Sequence, residues 1–243
     1  MSSLFERPHH RHVAQVLSVL DAALLAEHGC WFGGGTAIVL THGEYRESVD
    51  IDFLVSDQPS YRALRTIVKN EGLASLAGGE LDLPRPAVVD NYGIRAVVRV
   101  AGVAIKFEII HEGRIALDVP SPQDEICGVR TLTGTDQVAS KLLANDDRWA
   151  DASTFSRDLV DLAMMAPVPA VLAAGADKAV GAYGQTVGDS LRSAVEHLRQ
   201  HPHRLDACIR ALKMHAARAV VWQNIRELAT RCATIEGLAP STT

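Results

Sequence analysis

Two carboxylates set two residues apart, in Val49-Asp50-Ile51-Asp52-Phe53, are the part of this chain best suited to chemistry. The run alternates with period two. On a strand over 49–55, Asp50 and Asp52 therefore share one face, and Val49, Ile51 and Phe53 the other. Side-by-side carboxylates repel, and burial penalises each charge. A divalent cation between them removes both penalties. Hard oxygen ligands suit Mg²⁺, which binds through one or two carboxylates plus substrate phosphates. Just upstream, Gly33-Gly34-Gly35-Thr36 opens what reads as a short helix over 36–40. Its glycines let the backbone approach a phosphate closely, and helix-start amides favour an anion. Gly34, Gly35 and Thr36 as a phosphate cradle, with Asp50 and Asp52 as a metal clamp, point to phosphoryl chemistry.

A third acid is expected for such a site, to hold metal or activate the attacking group. The candidate is Glu108, in Ile105-Lys106-Phe107-Glu108-Ile109-Ile110. An acid in so apolar a strand must be paired or metal-bound if both faces are covered. Two plainer readings stand beside this one. The strand is an edge strand with Glu108 facing water, or Lys106, on the same strand face, pairs with it.

Other candidates lie further along. Lys141 shares helical spacing with Val138, Leu142 and Asn145, so it borders an inward face. An ammonium there is explained by a triphosphate, or by a stem that covers the core while the charge reaches water. Asp158 and Asp161 are one helical turn apart. One of them would orient Lys141 or contact base or ribose; the alternative is an Arg157–Asp161 pair at i, i+4. Arg46 and Ser48 precede the Asp-x-Asp run, and Arg46 either holds phosphate or salt-bridges to an acid. The cluster His9-His10-Arg11-His12 reads as a frayed terminal segment rather than a metal site. Trp31 and Trp222 fit core burial better than base stacking.

The elements that must position these residues follow from periodicity. Val13, Val16, Leu17, Leu20 and Leu24 predict an amphipathic helix over 11–28, ended by Gly29. A second helix is expected over 61–71, stopped by Gly72. Residues 77–93, rich in Gly and Pro, read as a loop. Two β-rich runs, 94–100 and 103–110, flank Ala101-Gly102 as a hairpin, although Ala-Gly is not a favoured two-residue turn. From about Thr135 the pattern is helical. A mixed α/β part at 1–128 and a helical part at 129–243 are therefore expected.

With 47% hydrophobic and 22% charged residues, the 243-residue chain falls in the ordinary globular class, not the disordered one. Its net charge of −5 gives no overall pull on nucleic acid, though a local basic groove is compatible with it. The acid excess lies in residues 1–166, while residues 167–243 carry a small basic excess. Cys30, Cys127, Cys208 and Cys232 form no C-x-x-C pair, which argues against zinc and for reduced thiols. The polar start and the lack of a long apolar stretch predict a cytoplasmic protein without a membrane span.

Taken together, Gly34, Gly35, Asp50, Asp52 and Glu108 resemble the pattern of the DNA polymerase β-like nucleotidyltransferase superfamily. Gly-Gly-Thr-Ala, the approach Arg46-Glu47-Ser48-Val49-Asp50, and the distal Lys141 with Arg157-Asp158-Leu159-Val160-Asp161-Leu162 look more narrowly like the AbiEii/AbiGii toxin family, which includes the MenT-type toxins. The resemblance covers about 34–54, 104–110 and 138–165. Many members have Ser where this chain has Thr36, which keeps the hydroxyl.

The resemblance implies an α+β fold: a polymerase β-like core, a mixed sheet with flanking helices, followed by a helical C-terminal domain. It implies transfer of a nucleoside monophosphate from an NTP to an acceptor, with release of pyrophosphate. For a toxin of this kind the acceptor is RNA, above all tRNA, and a cognate antitoxin restrains the activity. It implies two Mg²⁺ ions, replaceable by Mn²⁺, on Asp50, Asp52 and Glu108, with Glu108 also able to take the acceptor proton. The Gly35 amide and Thr36 hydroxyl would hold phosphate, and Thr36 would be the place for an antitoxin to modify. Two alternatives stand against this reading. One is transfer to a small hydroxylated acceptor, as in aminoglycoside nucleotidyltransferases. The other is a non-catalytic NTP-binding regulator, which has no need of three acids.

Overall fold

The computed structural model describes residues 4–239. The chain forms two compact units. One comprises the chain up to Glu44 together with Ser48–Thr133. The other comprises Tyr45–Glu47 and the residues from Gly134 onward.

The first unit is α/β in composition. In chain order it contains α1 (Pro8–Val19), α2 (Ala22–Glu27), β1 (Trp31–Gly33), α3 (Gly34–Thr41), β2 (Ile51–Val55), α4 (Gln58–Glu71), β3 (Val88–Val89), β4 (Gly93–Val100), β5 (Val103–His111), β6 (Glu125–Ile126) and β7 (Val129–Arg130). The single helix expected over 11–28 is two. The Asp21 carboxylate accepts from the Leu24 amide and starts α2 as a new helix, because a capping side chain competes with continuation. The α4 helix begins at Gln58, earlier than periodicity alone suggests, with Asp57 capping through the Ser60 amide. Ala101 (φ 49°) and Gly102 (φ 81°) close the β4–β5 hairpin in left-handed conformations, so the unfavoured Ala accepts a strained backbone there.

The five-stranded sheet runs β1-β2-β5-β4-β3. Three pairings are antiparallel, and β2 lies parallel to β5. One sheet face carries the main core. Ile51, Phe53 and Val55 of β2 and Phe107 and Ile109 of β5 are buried against Val13, Val16 and Leu17 of α1 and Tyr61, Leu64 and Val68 of α4. The rings of Phe32, Phe53 and Phe107 step across β1, β2 and β5 at 5.5 and 5.7 Å between centroids. Each such side chain contributes roughly 1.5–3 kcal/mol by leaving water, and this fixes β2 and β5 in one register. On the opposite face Leu54 packs with Trp31 and Leu132. Trp31 is therefore a core residue.

The second unit is helical: α5 (Gly134–Arg148), α6 (Arg157–Met165), α7 (Pro169–Tyr183), α8 (Thr186–Gln200), α9 (Pro202–Ala211) and α10 (Arg218–Cys232). The α5 helix packs on α6, α7 and α8. A Cβ at Gly175 of α7 would lie 2.6 Å from Val138 of α5, so the close approach of these two helices requires glycine. Among the described residues no helix is long and apolar enough to cross a membrane.

Candidate active site

Alternation in β2 puts Asp52 on the face opposite Ile51 and Phe53. The strand starts at Ile51, so Asp50 sits immediately before it and Val49, 44% exposed, is not part of the core face. This shortens the strand expected over 49–55. The parallel β2–β5 register pairs Asp52 with Glu108, and the antiparallel β1–β2 register pairs Asp52 with Gly33. Gly34 opens α3 directly against this acid. It has φ +67°, and a Cβ there would come within 2.4 Å of Asp52 Oδ2. Only glycine both adopts that backbone and leaves room for the carboxylate.

Glu108 is not facing open water. Its carboxylate lies 2.6 Å from the Lys106 ammonium, and its side chain is 14% exposed against 53% for Lys106. The plainer reading, a pair with Lys106, thus describes Glu108 here. Lys106 has its pKa raised, first by the hydrogen bond to Glu108 and then by the charges of Glu108, Asp50 and Asp52, which outweigh desolvation. One ammonium therefore feels all three acids at once. Among the described residues no three or more His, Cys, Asp or Glu side chains are gathered as a ready-made metal cage. An all-oxygen donor set at a place already attractive to a cation suits Mg²⁺, which needs only one or two carboxylates when substrate phosphates complete its shell.

Thr36 differs from expectation. It is buried, and its Oγ1 lies 2.5 Å from the Asp50 carbonyl and 2.8 Å from Ser48 Oγ. A carbonyl only accepts, so the single Thr36 hydroxyl proton goes to Asp50 and the Ser48 hydroxyl supplies the other hydrogen. Both hydroxyls are engaged in fastening the backbone ahead of Asp52. Neither is open to a phosphate, nor Thr36 to modification, without breaking these bonds.

The His9-His10-Arg11-His12 segment is not frayed. It forms the first turns of α1, and His10 is fully buried. His10 Nδ1 lies 2.7 Å from Glu44 Oε1, and the Ser48 amide donates to His10 Nε2 at 3.1 Å. Burial lowers the pKa of His10, against an upward pull from Glu44. Sequence reasoning missed these residues because terminal position outweighed the apolar spacing that begins at Val13.

In the helical unit, Arg46, Lys141, Asp158 and Asp161 come together. Asp161 accepts from Arg46 Nε (2.7 Å), Arg46 Nη2 (2.8 Å), the Tyr45 hydroxyl (2.5 Å) and Lys141 Nζ (2.6 Å). Asp158 accepts from Lys141 Nζ (3.0 Å) and from Arg148 Nε (2.7 Å) and Nη2 (2.9 Å). Burial would raise the pKa of both acids, but Lys141 with Arg148 holds Asp158 well below the usual carboxylate range, and Arg46 with Lys141 holds Asp161 down. Lys141 does not snorkel; it is buried between the two acids. The alternative pair of Asp161 with Arg157 is replaced by Arg46. Of the two readings for Arg46, the salt bridge to an acid is the one observed. Two of the three hydrogens of the Lys141 ammonium are taken by these acids.

Comparison with known proteins places these observations. No curated protein matches the sequence. Two solved structures from Helicobacter pylori resemble the fold: a protein described as a nucleotidyltransferase and JHP933. Each has a TM-score of 0.57 and 16% identity over 93% of this chain, covering 97% and 94% of the respective partner. At that identity the likeness speaks for the fold. A sequence profile described as nucleotidyl transferase AbiEii toxin, type IV toxin–antitoxin system, matches residues 17–229, and over that span the chain belongs to the AbiEii family of nucleotidyltransferases.

Proposed function

We propose that the chain transfers a nucleoside monophosphate from an NTP to an RNA acceptor, with tRNA as the first candidate, as a toxin restrained by a cognate antitoxin. The observation that carries the reading is the pairing of Asp52 with Glu108 across parallel strands, beside the Gly34 start of α3. Asp50, Asp52 and Glu108 would hold Mg²⁺, with Mn²⁺ able to replace it, and the ion would offset charge on the triphosphate. Gly34 and Gly35 would present the first amides of α3 to an anion. Glu108, released from Lys106, takes the proton of the acceptor hydroxyl. The hydroxyl oxygen bonds to the α-phosphorus, the bond from that phosphorus to the bridging oxygen breaks, and pyrophosphate leaves. Within the helical unit Asp158 and Asp161 orient Lys141, and Arg46 holds Asp161.

The test is label transfer from each of four α-³²P NTPs to total RNA. We expect one or more NTPs to label an RNA species in Mg²⁺, and Asp52→Asn to reduce the rate by at least about a hundredfold, the scale of losing a charge-stabilising group in a transition state. No transfer from any NTP, in Mg²⁺ or Mn²⁺, would overturn the proposal. The net acidity of the chain also suits a cationic small acceptor such as an aminoglycoside. Growth arrest on expression favours the toxin, and raised drug tolerance favours the small acceptor.

A further inference from the structure

The backbone that delivers Asp50 and Asp52 has no regular structure of its own between Thr41 and Ile51. Something else must hold it. The first turn of α1 does so at two consecutive residues, Ser48 and Val49. His10 Nε2 receives the Ser48 amide at 3.1 Å, and His9 Nε2 lies 3.0 Å from the Val49 carbonyl, to which it donates. The other nitrogen of His10 meets Glu44, which is itself fixed: its carboxylate accepts from the amides of Glu6 (2.7 Å) and Arg7 (3.1 Å), and its carbonyl accepts from Arg7 Nε (3.1 Å). Glu44 has φ +52°, a left-handed backbone that a glutamate adopts only when its surroundings impose it.

Partner chemistry fixes the state of the ring. A backbone N–H only donates, so Nε2 must carry no proton, and Nδ1–H must be the donor to Glu44. A charged or Nε2-protonated ring would set two donors against each other at Ser48. The Thr36 hydroxyl completes the line by holding the Asp50 carbonyl.

We propose that His10 is a positioning residue for the nucleotidyl-transfer site: its neutral Nδ1–H imidazole ties the carboxylate of Glu44 to the amide of Ser48 and so sets the backbone on which Asp50 and Asp52 are presented. The assignment rests on the reading of those two acids as the metal-binding pair. His9 supports the same segment from a more exposed position.

The geometry supplies a selective test, because Gln and Asn each mimic one ring nitrogen. Gln places an oxygen near the position of Nε2 and keeps an acceptor for Ser48. Asn places an amide near Nδ1, keeps the donor to Glu44 and leaves the Ser48 amide unmet. Using the full chain, His10→Gln and His10→Asn are compared for nucleotidyl transfer at a temperature where circular dichroism shows both folded. We expect kcat to fall about tenfold or more for His10→Asn and only about threefold for His10→Gln, since a buried unmet donor costs far more than an altered one. The KM for NTP should move less than kcat. Equal loss in the two variants, or greater loss in His10→Gln, overturns the proposal.

Imidazole ¹⁵N NMR of the wild-type protein gives a readout that needs neither turnover nor a folded variant. It should show His10 neutral and protonated at Nδ1 at neutral pH. A charged ring, or the Nε2–H tautomer, overturns the proposal whatever the kinetics. A wild-type chain that transfers no nucleotide defeats the proposed function, while the NMR result separately decides whether the His10 ring bridges Glu44 and Ser48 as the Nδ1–H tautomer.

Discussion

Gly34 has no side chain because the Asp52 carboxylate already occupies the space. A Cβ at this position would approach Asp52 Oδ2 to 2.4 Å, on a backbone with φ +67°. Gly34→Ala therefore carries two costs: left-handed strain of about 1–2 kcal/mol and the forced movement of an acid assigned to metal binding. We expect a loss of about 2–3 kcal/mol in urea unfolding, within the range of backbone strain plus overpacking. Transfer activity should fall further than stability explains, at least about tenfold, because a displacement near the reacting centre is felt in the rate. A Gly34→Ala protein with normal transfer would show that Asp52 need not stay where it is. The two acids and the glycine bend were legible from residue types and spacing alone. The engagement of Thr36 with Asp50 was not, because a hydroxyl beside a glycine turn fits a phosphate and a carbonyl equally well until the loop is placed.

At the scale of elements, the parallel pairing of β2 with β5 is what turns separate acids into a site. Each strand announced itself by its alternation, but register is a property of two strands. It required the phenylalanine ladder and the helical cover to select Asp52 opposite Glu108. The helical unit shows the same limit. Helical spacing put Asp158 and Asp161 of α6 on one side, yet the nearest cation in sequence, Arg157, was the wrong partner. Arg46, 115 residues away, takes Asp161 through two parallel hydrogen bonds in a buried setting. Long-range pairing of this kind leaves no periodic trace. The consequence is measurable. Asp161→Asn leaves Arg46 and Lys141 short of their counter-charge in the interior, and losing one partner of a buried pair costs about 3–5 kcal/mol. Asp158→Asn should cost less, because Arg148 is 36% exposed and can turn to water. Urea unfolding of the two variants checks the order; equal losses would mean that the network is not organised around Asp161.

For the whole molecule, the two units should answer acid differently. In the first unit, burial lowers the pKa of His10, opposed by Glu44 and assisted by the charges of Arg7 and His9; His42 is lowered by burial as well. In the unfolded chain a histidine titrates near about 6.5. Below that pH the unfolded state binds protons that the folded state refuses, so stability falls as pH drops and levels off once the folded ring is also protonated. In the second unit the dominant buried groups are Asp158 and Asp161, whose pKa values are depressed by their cations. Their contribution is complete above about pH 4, the unfolded carboxylate value, and is lost as pH falls through the lower folded values. His197 is also lowered, but it lies nearer solvent and adds little. We therefore expect peptides of the first unit to begin losing hydrogen-exchange protection as pH falls below about 6.5, while peptides of α5 and α6 keep theirs until about pH 4 or below, following the two sets of titrating groups. Exchange mass spectrometry, corrected for the intrinsic pH dependence of exchange, separates the two windows. The His10→Gln protein, which has no ring to protonate, should show a smaller loss in the milder window and no change in the lower one. Simultaneous loss in both units at mild acid would mean that burial of His10 does not set the response of the first.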